Sequence, residues 1–408
     1  MKDFKKAKKD GSRMNFERVR QFMDHLTRTK VPGNAICIYL GGQKVFEYAS
    51  GYADLETQTP MTGRELVNIY SCSKVTTVTA AAQLLERGAF LLTDPLSDYF
   101  PEYRRMKVQN AAGEVVDAQR PITVGDLFAM TAGLNYDLNA PAIAAAREKT
   151  AGRMDTVTVA RCLAQTVLSF EPGASWQYSL CHDVLAGLVA HIADMPFRDY
   201  VRKNVFDPLE MRDTVYHHTL EVEARMASQY CFVPDKADAD RMDFVQAQSA
   251  GRACSGTFKK VEKSVGYVLG PDYDSGGAGI TTAVGEYVKL VAALANNGLG
   301  LTGARILSAN TVRLMHTNRL NAAQMANFSW RQLTGYGYGL GVRTLIDPAA
   351  AGALSDVGEF GWGGAAGATV LADAGRNLAV FYAHHMLNPQ EEYYQPRLRN
   401  VVYSSLDA

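Results

Sequence analysis

The sequence predicts an α/β chain, more strictly α+β, in which an antiparallel sheet flanked by helices is assembled from both ends and carries an inserted, mostly helical domain. Three observations predict it. Strand-like runs occur early, at residues 35–40 and 44–52; more occur late, at 339–346, 359–362, 368–372 and 378–384; helical spacing fills the stretch between them. The expected division is a basic tail at 1–13, a sheet domain from 14–90 and 265–408, and a helical domain at 91–264. Within the last, residues 234–264 are rich in Asp, Lys, Ala and Gly and read as a long loop over the cleft between the two parts.

In chain order, Phe16, Val19, Phe22, Met23 and Leu26 fall on one helical face, and Pro32-Gly33 ends that helix, predicted over 14–30. The next two runs flank Gly41-Gly42-Gln43, the signature of a hairpin. Residues 71–87 lack Gly and Pro and stop at Gly88, so Ser71 opens a helix. Thr123, with Asp126 three residues on, predicts a capped short helix over 123–130. Further helices are expected at 158–167, 180–192, 197–205 and 283–297, and a terminal one at 396–406 covers the late strands.

Composition narrows the function class. The 408 residues include 42 basic and 42 acidic side chains, so no global field favours nucleic acid or an anionic membrane, and a small-molecule partner is expected. No apolar run is long enough to span a membrane. No signal-peptide pattern follows the lysine-rich head, so a cytoplasmic location is expected. The six cysteines lack CxxC spacing and read as reduced thiols, and no metal or cofactor motif stands out. Gly298 to Gly303 fits GxGxxG but follows a predicted helix, which makes it a cap and turn. His217-His218 and His384-His385 lack a third ligand at sensible spacing and read as structural.

Three constellations carry chemistry. Ser71-Cys72-Ser73-Lys74 places an ammonium three residues from a hydroxyl on one helix face, where a desolvated lysine accepts the serine proton. With 18 serines and 16 lysines, chance alone supplies about 0.7 such pairs, so the spacing is weak by itself. Tyr178 stands just ahead of the 180–192 helix, where nearby cations are expected to ionise its phenol partly and let it relay protons. Glu359 to Gly367 is glycine-rich at a strand edge, a pattern that suits either a turn or an oxyanion hole.

The order of these three elements resembles the serine β-lactamase and penicillin-binding protein superfamily, in its class C-like branch. TVGDLFAMTAGL at 123–134, SGGAGITT at 275–282 and YGYGLG at 336–341 are similar to that superfamily's landmarks. The resemblance implies a β-lactamase/transpeptidase-like fold, Ser71 as nucleophile, and Lys74 with Tyr178 as a shared general base and acid. It also implies backbone N–H groups of Ser71 and Ala365 as oxyanion donors. Two departures stand out: Leu180 where relatives carry Asn, and Trp362-Gly363-Gly364 where they carry Lys-Thr-Gly. Both make the cleft more apolar, with Trp362, Gly363, Gly364 and Leu180 as its substrate-binding residues. In motifs the chain is most similar to the carboxylesterases called family VIII. A serine carboxylesterase on small esters is therefore expected. A β-lactamase, a D-alanyl-D-alanine peptidase, an acyltransferase and a ligand-binding module with an inactive site are the alternatives; no reading fixes the oligomeric state.

Overall fold

The computed structural model describes residues 14–110, 112–234, 256–263 and 267–407. Its central feature is an eight-stranded, wholly antiparallel sheet. The early strands are β1 (Gly33–Leu40), β2 (Gln43–Asp54) and β3 (Thr59–Pro60); the late ones are β4 (Tyr336–Tyr338), β5 (Arg343–Leu345), β6 (Phe360–Gly363), β7 (Thr369–Asp373) and β8 (Leu378–Ala383). The order is β4-β5-β6-β7-β8-β1-β2-β3. The two ends of the chain meet where β1 pairs with β8, with Cys37 opposite Phe381 and Ile38 opposite Val380.

Both faces of β1 are covered, which explains its unbroken apolar run. Ala35 and Cys37 enter the main core, whereas Ile36 and Ile38 enter a second core on the other face. That second core is closed by α1 (Glu17–Thr29) and by the terminal helix Glu391–Tyr403. The main core holds α2 (Ser73–Glu86), nearly all of whose residues are buried. It also holds α3 (Val124–Ala129), α4 (Thr156–Cys162), α5 (Cys181–Ala193) and α6 (Val284–Ala295). The Thr123–Asp126 capping box forms in both directions, as its spacing predicts.

Several boundaries differ from the sequence reading. The run at 339–346 is not one strand: residues 339–342 form the turn that joins β4 to β5, and only Arg343–Leu345 within the run are extended. The terminal helix begins at Glu391 and carries Pro396 inside it, five residues earlier than expected. The 234–264 segment is not all loop: Gly256–Val261 pairs antiparallel with Gln229–Pro234. The middle of that segment, and the basic tail at 1–13, lie outside the described residues. Among the described residues, no helix is long and apolar enough to cross a membrane.

Candidate active site

Ser71 lies in a 3-10 turn, Tyr70–Cys72, that runs directly into α2. This moves the α-helix start two residues past the expected one, and Tyr70 adopts the left-handed region at φ 44°. The turn is held from several sides. Tyr287 Oη donates to the Cys72 carbonyl at 2.7 Å, and the Ile280 N–H donates to Ser73 Oγ at 3.0 Å. The β6 strand end approaches so closely that a Cβ on Gly364 would lie 2.2 Å from the Ile69 carbonyl oxygen. Glycine is required there.

Lys74, the second residue of α2, is 0% exposed. Its Nζ donates to the Gly277 carbonyl at 2.8 Å and lies 3.4 Å from both Ser71 Oγ and Tyr136 Oη. It also sits over the rings of Tyr178, at 4.6 Å, and Tyr136, at 5.2 Å. Burial lowers its pKa from 10.5 to about 8, against the opposing charge of Asp183. A buried ammonium with one good hydrogen bond is poised to lose its proton near neutral pH.

Tyr178 sits in the loop leading into α5 and stacks on Trp362, whose Nε1 donates to the phenol oxygen at 3.3 Å. The expected partial ionisation of Tyr178 is corrected here. Burial pushes the phenol well above its ordinary range, and hydrogen bonds involving Ser71 and Trp362 only partly oppose that. The resting group is a neutral phenol. Lys74 is the group whose proton affinity is tuned.

Leu180 is also corrected. At 2% exposure it belongs to the main core just ahead of α5, so it offers no contact surface to a substrate. Trp362 is 3% exposed and spends most of its surface on Tyr178, Tyr338 and Trp330. Gly363 ends β6, and Ala365 lies in the turn after it, closed by the Gly364 N–H to Ala368 carbonyl bond at 2.8 Å. Ala365 packs against the small cluster around Tyr70, beside Ser71 in the chain.

Sequence reading missed several neighbours. Tyr136 stacks on Tyr178 at 5.4 Å; its only signal was an aromatic two residues past the 123–134 landmark. Asp183, fully buried in the first turn of α5, accepts from Tyr273 Oη at 2.5 Å, Ser275 Oγ at 2.8 Å and the Gly277 N–H at 3.2 Å. It thereby fixes the turn whose carbonyl receives Lys74. An acidic residue in a helix with no other Asp or Glu was the available signal. Trp176 and Trp330, 5.8 Å apart, extend the aromatic wall.

The four histidines singled out in the sequence are hydrogen-bonded within the fold. His385 Nε2 accepts from the Asn68 N–H at 3.2 Å, and burial lowers both His384 and His385 to about 3. His217 pairs with Asp274 at 2.6 Å, and His218 bonds Thr281 at 2.8 Å. Among the described residues no His, Cys, Asp or Glu cluster has metal-binding geometry. The five described cysteines are free thiols.

The Beta-lactamase family profile matches residues 17–403. Protein Rv1367c of Mycobacterium tuberculosis is 30% identical, covering 81% of this chain and 80% of its own. Esterase EstB of Burkholderia gladioli is 27% identical, covering 88% of this chain and 87% of its own. Among solved structures, EstCE1, described as a hydrolase with promiscuous acyltransferase activity, superposes with a TM-score of 0.74 at 23% identity. It covers 95% of this chain and 98% of its own. The architecture is the β-lactamase/transpeptidase fold.

Proposed function

Because this chain belongs to the beta-lactamase family, whose members are serine hydrolases, we propose that it is a carboxylesterase acting on small neutral esters through an acyl-enzyme on Ser71. The observation that carries the reading is the Ser71–Lys74 pair, 3.4 Å apart, with the lysine fully buried and lowered to about 8. The likeness to an esterase over most of both chains supports the same substrate class.

In this reading neutral Lys74 takes the Ser71 proton as Oγ attacks the ester carbonyl. The oxyanion meets the N–H groups of Ser71 and Ala365. As the tetrahedral species collapses, the proton passes through Lys74 and Tyr178 to the departing alkoxide, which leaves as the alcohol. Water, giving a proton to Lys74 and Tyr178, then attacks the acyl-enzyme; the acyl group leaves as the carboxylic acid and Ser71 Oγ takes the proton back. Tyr178 works as a neutral donor and acceptor, held by the indole of Trp362.

Ester preference follows from what lines the site. Trp362 stands where β-lactam-directed relatives carry a lysine, and aromatic rings form the adjoining wall. An anionic substrate finds no new cation there, whereas an apolar acyl or alkoxy group gains contact area on the exposed Trp330 ring that packs against Trp362. The test compares kcat/KM for p-nitrophenyl butyrate and a chromogenic cephalosporin. Faster ester turnover is expected; faster cephalosporin turnover overturns the ester assignment. Absence of both activities together with no labelling by a fluorophosphonate overturns the hydrolase reading.

A further inference from the structure

The Lys74 ammonium has three N–H donors, and three oxygens stand around it: the Gly277 carbonyl at 2.8 Å, and Ser71 Oγ and Tyr136 Oη, each at 3.4 Å. On losing a proton the group keeps two N–H donors and gains a lone pair. The Gly277 carbonyl has no proton to give, so one N–H stays on it. The second N–H and the lone pair are then divided between Ser71 and Tyr136. General-base action requires the lone pair on the Ser71 side, which leaves Tyr136 Oη as acceptor of the second N–H. Leu180, which closes the motif Tyr178-Ser179-Leu180, has no polar side-chain atom to offer in its place.

Tyr136 is fixed in that place from several sides. Its ring stacks on Tyr178 at 5.4 Å and 17°, and Tyr267 packs edge-on against it at 5.8 Å. The Leu180 N–H donates to the Asn135 carbonyl at 3.0 Å, which ties the Tyr136 loop to the head of α5. Asn135 Oδ1 accepts from the Asp137 N–H at 3.0 Å and closes a turn with Tyr136 at its centre. Burial holds the phenol well above its ordinary range, with the neighbouring Tyr178 and Asp183 adding to the effect. Its oxygen therefore stays neutral while Lys74 gains and loses its proton.

We propose that Tyr136 is a positioning residue, whose phenol oxygen accepts one N–H of neutral Lys74 and thereby turns the amine lone pair toward Ser71. The rate consequence rests on the hydrolase reading; the hydrogen bond itself does not.

The experiment compares Tyr136→Phe with the wild type, because this variant keeps the ring that Lys74 overlies at 5.2 Å and deletes only the oxygen. Rates are read at about pH 9, above the Lys74 value of about 8, where the amine is mostly neutral in both proteins. Fluorophosphonate labelling of Ser71 and kcat for p-nitrophenyl butyrate are each expected to fall about 10-fold, the scale of one hydrogen bond, with KM changed less than about 2-fold. Unchanged or faster labelling overturns the proposal, since the phenol is then idle or holds the lone pair itself. A raised KM with unchanged kcat also overturns it, because that places Tyr136 against the substrate.

The second readout needs no turnover. Lysine Cε carbon shifts are titrated by NMR, with the Lys74 signal assigned by its loss in Lys74→Met. A phenol oxygen accepts more strongly from an ammonium than from an amine, so Tyr136→Phe is expected to lower the Lys74 midpoint by about half a pH unit. The other groups facing Lys74 are Ser71, Cys72, Tyr178, Cys181, His182 and Asp183, all kept in the variant. An unmoved midpoint overturns the hydrogen bond. Ester turnover with an unmoved midpoint and unchanged labelling defeats the positioning role alone, and a lowered midpoint in a protein that neither labels nor turns over ester defeats the hydrolase reading alone.

Discussion

The carbonyl oxygen of Gly277 accepts a 2.8 Å hydrogen bond from Lys74, and the N–H of the same glycine donates to Asp183 at 3.2 Å. One peptide turn therefore links a buried carboxylate to the buried ammonium without direct contact between them. A Cβ on Gly277 would sit 2.6 Å from Asp183 Oδ2 and 3.2 Å from Lys74 Nζ. Gly277→Ala is expected to displace the lysine and lower ester kcat/KM by about 100-fold, the cost of a misplacement near 1 Å. Steady-state kinetics with circular dichroism checks this, and unchanged kinetics in a folded variant contradicts it.

The pH profile follows from Lys74. Its ammonium is lowered to about 8, and the neutral amine is the active base, so kcat/KM is expected to rise with pH through a midpoint near 8. Asp183 stabilises the charged form. Asp183→Asn is therefore expected to move the midpoint down, by roughly one pH unit. A midpoint that stays or rises in this variant contradicts the electrostatic role.

The same burial costs stability. A lysine whose folded pKa is about 8 against an ordinary 10.5 carries a penalty of about 3 kcal/mol while charged in both states. That penalty is full below about pH 8 and is gone above about 10.5, so this group makes the wild type more stable as pH rises through that window. Lys74→Met is expected to abolish turnover yet gain about 1–3 kcal/mol in denaturant unfolding at pH 7, with the gain shrinking toward pH 10. A loss of stability at pH 7, or a gain independent of pH, contradicts this.

Trp362 and Tyr178 separate by magnitude. Tyr178→Phe removes the phenol that passes the proton and is expected to lower kcat by about 1,000-fold. Trp362→Phe keeps an aromatic face but deletes the 3.3 Å bond to that phenol, with an expected loss of about 10-fold. Equal losses in the two variants would contradict a proton-transfer role of the phenol beyond its bond to the indole.

The sheet was legible because period and punctuation are local. β1, β7 and β8 are apolar runs and β2 carries β-branched and aromatic residues, all bounded by turn residues, and Thr123 with Asp126 marks a helix start by itself. The split between β4 and β5 was not, because apolar and glycine residues continue through the turn. At the site, Ser71, Lys74, Tyr178 and Trp362 were legible in their order along the chain. Tyr136 and Asp183 were not, since they reach Lys74 only through the fold and stand alone in sequence. The neutral state of Tyr178 and the burial of Leu180 depend on desolvation, which spacing does not encode.

The central claim is that Ser71 carries the acyl group, and rapid acid quench during turnover of p-nitrophenyl butyrate, followed by peptide mass mapping, tests it most directly. The expected result is one butyryl group on the peptide containing Ser71, absent from Ser71→Ala. A butyryl group on another residue, or full ester turnover by Ser71→Ala, would contradict the account.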